Sequence, residues 1–265
     1  MRDINITLVQ TSLHWEDKPR NLDMFSRLLG RVEGPTDLIV LPEMFNTGFS
    51  MNAAALAETA DGPAVRWLAV QAAALGCVIT GSIIFAAGGA YTNRLIWMRP
   101  DGTFAHYDKR HLFRMAGEHE FFGAGSRRLV TDLKGWRFCP LICYDLRFPV
   151  WSRNRGDYDA LVFIANWPEP RSVAWKSLLP ARAIENQAYV IAVNRIGTDG
   201  NDRQYSGDSG VYDPTGKLLS GTRPHEESIE SVTLSGRELA DFRETFQVAL
   251  DADSFDINQG RPPRS

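Results

Sequence analysis

Two runs of residues constrain the fold most. Leu38, Ile39, Val40 and Leu41 stand in a row, and the segment from Asp159 to Ala165 is again nearly all apolar. Each is short and bounded by polar or chain-breaking residues, so each reads as a strand. A strand that is apolar at every position has no solvent side. It needs cover on both faces, which a layered α/β protein provides and an exposed antiparallel sheet does not.

The rest of the chain fits that frame. Ile4 to Gln10 reads as a first strand. Asn21 to Val32 is amphipathic, with Leu22, Phe25, Leu28, Leu29 and Val32 on one helical face. Pro63 to Leu75 reads as a helix closed by Gly76. Cys77 to Phe85 and Tyr91 to Met98 are strands joined by a hairpin, and Thr103 to Asp108 is a short strand leading into Lys109. Residues 114–126 hold Gly117, Gly123 and Gly125 without a clear period, and read as a functional loop. Arg128 to Leu133 and Arg137 to Ile142 return to the sheet. Ser172 to Asn186 is a helix, and Ala188 to Val193 a strand. Ser209 to Tyr212 and Lys217 to Ser220 pair across a turn, Glu227 to Leu234 is a last strand, and Gly236 to Glu244 a last helix. No repeat or linker interrupts this interleaving. Residues 1–250 are expected to form one α/β domain, and 251–265 an extended or disordered tail.

Composition excludes several classes of function. With 44% hydrophobic and 23% charged residues and a net charge of −3, nothing calls for a nucleic-acid partner. No stretch approaches the roughly 20 apolar residues of a membrane span. Asp3 and Asn5 interrupt the place where a signal peptide needs an apolar core, so cytoplasm is expected. Three cysteines do not make a disulfide framework. On one strand Cys139 and Cys143 would lie about 13 Å apart, beyond the roughly 7 Å a disulfide spans. No CxxC or paired histidine spacing suggests a metal.

The stretch from Gly135 to Pro149 reads as a buried strand that stops and turns into a helix, with Pro149 in the first helical turn. Cys143 then sits at a strand end ahead of a helix N-terminus. That setting favours an anion and is expected to draw the thiol below its usual pKa of about 8.5. Its backbone N–H groups could hold an oxyanion. Glu43 and Lys109 likewise each follow the end of a strand. Strand ends on one rim are where α/β proteins gather reactive groups. A thiol, a carboxylate and an ammonium form a coherent set: a nucleophile, a base for its proton and a cation for the attacked carbonyl oxygen.

Three blocks carry a resemblance. They are Leu41 to Met44, Lys109 to Leu112, and Leu141 to Pro149. Together they resemble the nitrilase superfamily of carbon–nitrogen hydrolases, and the likeness runs from Ile4 to about Leu234. Within it the chain most resembles the bacterial ω-amidases, on residues 113–115, 147–153 and 165–168. The resemblance implies a four-layer α-β-β-α sandwich and a triad of Glu43, Lys109 and Cys143. It implies a second glutamate after the lysine, for which Glu118 matches better than Glu120. It also implies an oxyanion donor in the Tyr144 backbone N–H, pairing into a homodimer or higher homo-oligomer, and no cofactor. The implied reaction hydrolyses the ω-amide of small dicarboxylic monoamides such as 2-oxoglutaramate and 2-oxosuccinamate.

Such a substrate needs a cation for its far carboxylate, for which Arg147, Arg171 and Arg195 are candidates. Phe45 and Trp167 are expected to wall the pocket, with Asn166 beside it. Two other readings stand. One is a different member of the family, acting on nitriles, N-carbamoyl amino acids or aliphatic amides. The other is a non-catalytic binding member, whose mark would be a missing Glu, Lys or Cys.

Overall fold

Two mixed sheets lie face to face in the computed structural model, which describes residues 1–257. In chain order the elements are β1 (Ile4–Gln10), α1 (Lys18–Leu29), β2 (Leu38–Val40), α2 (Ala53–Leu56), α3 (Pro63–Leu75), β3 (Val78–Ala87), β4 (Ala90–Met98) and β5 (Phe104–Asp108). There follow α4 (Glu118–Phe121), β6 (Thr131–Leu133), β7 (Trp136–Ile142), α5 (Pro149–Ser152), β8 (Ala160–Ala165), α6 (Ser172–Asn186) and β9 (Tyr189–Asn194). The last are β10 (Ile196–Thr198), β11 (Gln204–Ser206), β12 (Gly210–Tyr212), β13 (Leu218–Gly221), β14 (Ser228–Leu234) and α7 (Gly236–Thr245). One sheet runs β14-β1-β2-β3-β4-β5 and the other β13-β12-β9-β8-β7-β6, with β10 and β11 as a separate ribbon.

The all-apolar strands show why the layers form. In β2, Leu38 and Val40 point into the core between the sheets, which they share with Trp136 and Phe138 of β7. Ile39, between them, points the other way into a second core with Phe25 and Leu28 of α1 and Leu68 of α3. Side chains alternate across a strand, so one run of apolar residues fills two cores. β8 is buried along its whole length, and α6 covers the second sheet through Trp175, Leu179 and Ala183. The architecture is the four-layer α-β-β-α sandwich.

Pairing directions place the functional ends. β2 runs parallel to β3, and β5 shares that direction because two antiparallel steps separate it from β3. The ends of β2 and β5 therefore open on one rim. In the second sheet β7, β8 and β9 are mutually parallel, and their ends share a rim as well.

The structure revises a few local expectations. α1 starts at Lys18 rather than Asn21, because the Asp17 carboxylate accepts from the Arg20 N–H at 3.1 Å and Pro19 fits the first turn. The expected loop 114–126 contains a 3₁₀ turn, Arg114–Ala116, and the single turn of α4. After α7 the chain makes a 3₁₀ turn, Val248–Asp251, and has no regular element from there to 257. The remainder of the expected tail, 258–265, lies outside the described residues.

Candidate active site

Glu43, Lys109 and Cys143 meet where the two rims face each other. Lys109, directly after β5, is fully buried. Its Nζ donates to Glu43 Oε1 at 2.8 Å and to both Glu118 oxygens at 3.0 and 2.9 Å. Glu118 is the first residue of α4, and its Oε2 also accepts from the Phe113 N–H at 2.6 Å. Glu120, two residues on, is exposed on the far side of that turn. The geometry therefore brings Glu118 into the cluster and leaves Glu120 out.

Glu43 is held from three sides. Besides Lys109, its Oε1 accepts from Asn93 Nδ2 at 2.8 Å, and its Oε2 accepts from the Asn166 backbone N–H at 2.8 Å. Asn166 follows β8, and its side-chain Nδ2 donates back to the Glu43 carbonyl at 2.5 Å. A carboxylate has about four acceptor positions, so Oε2 keeps one free toward the thiol. Asn93, within β4, also reaches Glu118 Oε1 at 3.3 Å and thus bridges the two carboxylates. Sequence reading missed it, because between Thr92 and Arg94 an asparagine passes for an ordinary polar strand residue.

Cys143 opens the 3₁₀ turn Cys143–Arg147 that follows β7. Its φ is +45°, in the left-handed region that a residue with a Cβ enters only at a cost of about 1–2 kcal/mol. Asp145 locks the bend. One of its oxygens accepts from the Ile142 N–H at 3.0 Å and the Tyr107 hydroxyl at 2.7 Å, and the other from the His111 N–H at 3.0 Å. One carboxylate thus ties the Cys143 turn to the strand and loop that carry Lys109. The thiol lies 3.9 Å from the Asn166 carbonyl oxygen.

The electrostatics correct one expectation. The thiol is not drawn down. Burial, and then the charge of Glu43, push it well above its ordinary value, with Lys109 pulling the other way. The turn after Cys143 is too short for a strong dipole, and the residue is only 8% exposed, so desolvation wins. For Lys109 burial opposes the charge, but Glu118 and then Glu43 outweigh it and hold the ammonium protonated. Glu118 is raised by burial, with Lys109 opposing and Glu43 adding to the rise.

A cleft of about 390 Å³, counting its open mouth, leads down to Cys143. Tyr144, Asn166 and Trp167 line it near the thiol, and Arg147 and Arg171 stand on its walls. Arg147 lies over the Trp167 ring at 4.8 Å, and Arg171 over Phe113 at 5.2 Å. Phe45 does not wall the cleft. It is fully buried under the first sheet, edge-on to Phe25 at 5.5 Å. Met44, at φ +43°, turns the chain so that the Phe45 N–H bonds to Ser82 O at 3.0 Å and the ring swings into the helix-side core. Phe49 lines the cleft instead. Arg195 is not at the cleft either. It is fully buried, and its guanidinium donates to the carbonyls of Ile196 and Thr198, both at 3.0 Å. Among the described residues no cluster of three or more His, Cys, Asp or Glu side chains could hold a metal, and no helix is long and apolar enough to cross a membrane.

The four-layer sandwich, with a thiol, a carboxylate and an ammonium gathered at its strand ends, defines a hydrolase acting on carbon–nitrogen bonds. The carbon-nitrogen hydrolase family profile matches residues 5–244, and the protein belongs to that family. Particular relatives narrow the class. The chain is 47% identical over 255 residues to the omega-amidase YafV of Escherichia coli K12, covering 96% of this chain and 99% of that one. It is 34% identical over 252 residues to the 2-oxoglutaramate amidase of Bacillus subtilis, covering 93% and 96%. The crystal structure of XC1258 from Xanthomonas campestris, a CN-hydrolase superfamily protein with an arsenic adduct in its active site, superposes with a TM-score of 0.95 at 47% identity, covering 97% and 100%.

Proposed function

We propose that the protein is an ω-amidase, releasing ammonia from the terminal amide of small dicarboxylic monoamides such as 2-oxoglutaramate and 2-oxosuccinamate. The observation that carries this reading is the buried Glu43–Lys109–Glu118 cluster beside Cys143, at the foot of a cleft whose lining includes arginines and no acidic side chain. The similarity to an omega-amidase and to a 2-oxoglutaramate amidase supports it.

Because the thiol is held neutral, its proton leaves as the carbon–sulfur bond forms. Cys143 Sγ attacks the amide carbon while Glu43 takes the proton on its free Oε2 position. Negative charge develops on the carbonyl oxygen and is held by Lys109 and by the backbone N–H of Tyr144. Each such donor is typically worth about 3 kcal/mol in the transition state. Glu43 then protonates the departing nitrogen, which leaves as ammonia. Water, deprotonated by Glu43, adds to the thioester, and collapse returns the thiol and frees the carboxylic acid. Glu118 keeps Lys109 charged and aimed. Asn93 and Asn166 fix the Glu43 carboxylate between its two tasks. Arg171 and Arg147 give the cleft the positive lining that a substrate with a far carboxylate needs, and Trp167 forms a wall.

The scheme uses only substrate and water, and a single domain spanning 1–250 carries it. The working form is a homodimer or higher homo-oligomer, paired through α5 and α6, where Val150, Val173 and Ile184 are exposed. The free thiols of Cys77, Cys139 and Cys143 suit a cytoplasmic enzyme.

The test is ammonia release from 2-oxoglutaramate by the purified protein, with Cys143→Ala measured beside it. Release that disappears in the variant is the expected result. Release that persists in the variant would sink the mechanism. No release from either protein would move the search to nitriles, N-carbamoyl amino acids and longer amides.

A further inference from the structure

The cleft is closed on one side by the ribbon of β10 and β11, whose Arg203 and Tyr205 reach its lining. The ribbon's tip is unusually well fixed for so short a hairpin. Asp199 is buried inside it and accepts from the backbone N–H groups of Asn201 and Arg203 at 2.8 and 3.0 Å, and from the Tyr205 hydroxyl at 2.8 Å. The Asp199 N–H in turn bonds to the Arg203 carbonyl at 3.0 Å. At Gly200 an added Cβ would stand 2.4 Å from the Trp15 indole, so only glycine lets the tip sit against that ring. Beneath the ribbon the buried Arg195 guanidinium lies 4.7 Å from the Tyr205 ring centre. Both strands and the tip are thus tied to the body of the protein.

On this rigid tip Arg203 stands out among the cleft's cations. The guanidinium of Arg147 rests on Trp167, and that of Arg171 rests on Phe113 and donates to the Met115 sulfur at 2.9 Å. The Arg203 side chain has no ion pair, hydrogen bond or aromatic partner among the described residues. Asp199, the buried acid of the tip, has its oxygens engaged by backbone and tyrosine donors. A guanidinium without a counter-ion, on a turn braced by a buried carboxylate and facing a cleft without acids, suits an anionic oxygen group.

We propose that Arg203 is a specificity-determining residue. It binds the substrate carboxylate remote from the scissile amide, and the β10–β11 ribbon thereby selects amides that carry that carboxylate. The proposal rests on the ω-amidase reading for the identity of the substrate, but the site can be probed without turnover. A molecule with the remote carboxylate and no amide, 2-oxopentanoate, should occupy the cleft and shield Cys143 from iodoacetamide. Pentanamide, which lacks the carboxylate, serves as the neutral control.

The experiment is site-resolved alkylation of Cys143, followed by peptide mass spectrometry, in the wild-type protein, Arg203→Gln and Arg203→Lys. The wild type should be protected by 2-oxopentanoate. Arg203→Gln should need about tenfold more of it for equal protection, the scale of one lost charge-assisted bond. Arg203→Lys should recover part of the difference, and protection by pentanamide should be the same in all three. Equal protection by 2-oxopentanoate in wild type and Arg203→Gln, or none in the wild type, would overturn the proposal. Steady-state kinetics separate it from the parent reading. Arg203→Gln should raise KM for 2-oxoglutaramate about tenfold while changing kcat little. A wild type that ignores 2-oxoglutaramate but shows Arg203-dependent protection would remove the ω-amidase reading and leave the carboxylate site standing.

Discussion

Replacing Lys109 by methionine tests the charge logic of the site most directly. The ammonium and both carboxylates have side chains that are 0% exposed, and the one cation serves both anions at 2.8 and 2.9 Å. With both carboxylates ionised the set carries one net negative charge, and without Lys109 it carries two. Removing one partner of a buried pair costs about 3–5 kcal/mol, because the charge left behind is uncompensated. Two stranded carboxylates place this variant toward the upper end. The cost must also depend on pH. Asn93 joins Glu43 and Glu118, and like charges so close cannot both persist, so the folded variant takes up a proton. Glu118, which burial raises and Lys109 no longer pulls down, then has a folded-state pKa above the unfolded value of about 4.3. A group raised in this way contributes stability below its unfolded pKa and loses it as pH rises through the folded one. The deficit of Lys109→Met should therefore be small near about pH 5 and grow by up to about 1.4 kcal/mol per pH unit toward about pH 8. Urea unfolding of both proteins at several pH values, followed by the fluorescence of the buried Trp97 and Trp136, measures it. Adding Glu118→Gln should recover much of the stability at high pH without restoring turnover. A deficit independent of pH, or below about 1 kcal/mol throughout, would refute the reasoning.

Four further outcomes follow from the same geometry. The raised thiol of Cys143 should react slowly with iodoacetamide at neutral pH and faster as pH rises past about 9, and a rate that levels off below about pH 7 would contradict the assignment. Asn93→Ala should lower kcat by roughly ten- to a hundredfold with KM little changed, because the Glu43 carboxylate loses one of its guides. Phe45→Ala should cost about 3–5 kcal/mol in unfolding free energy as a core cavity, and a loss below about 1 kcal/mol would show that the ring is not packed as described. Burial opposes the charge of Asp159, but Arg137 and Arg243 hold its pKa below the usual carboxylate range. Its contribution to stability is therefore present above about pH 4 and lost as pH falls through the lowered value. Asp159→Asn should be less stable than wild type at neutral pH, with the gap closing in acid melts.

The layered fold was legible because its strands have no polar face. Leu38 to Leu41 could only be covered on both sides, and Asp159 to Ala165 repeats the message. Glu43, Lys109 and Cys143 were legible as strand-end residues, a position that sequence periodicity marks well. Phe45 was misread for a backbone reason. The left-handed turn at Met44 sends the ring away from the cleft, and nothing in the local composition signals a positive φ at methionine. The thiol was misjudged because a helix dipole is a local inference, whereas the burial that overrides it comes from chain folded in from elsewhere. Arg203 and Tyr205 stayed hidden because β10 and β11 are three residues each and lie in a polar stretch with too little periodicity to announce a strand.

Glu43, Lys109 and Asn93 come from one sheet, and Cys143 and Asn166 from the other. Neither sheet alone holds both the Cys143 thiol and the Glu43 carboxylate proposed to take its proton. Turnover consequently gauges how the two sheets are seated on each other. A slip of a single residue between them would move the thiol by about 3.3 Å relative to Glu43 and break every contact across the seam. During folding, activity should emerge only once the two sheets have docked. Substitutions deep between the layers, far from any substrate atom, can then silence the enzyme while leaving its secondary structure untouched.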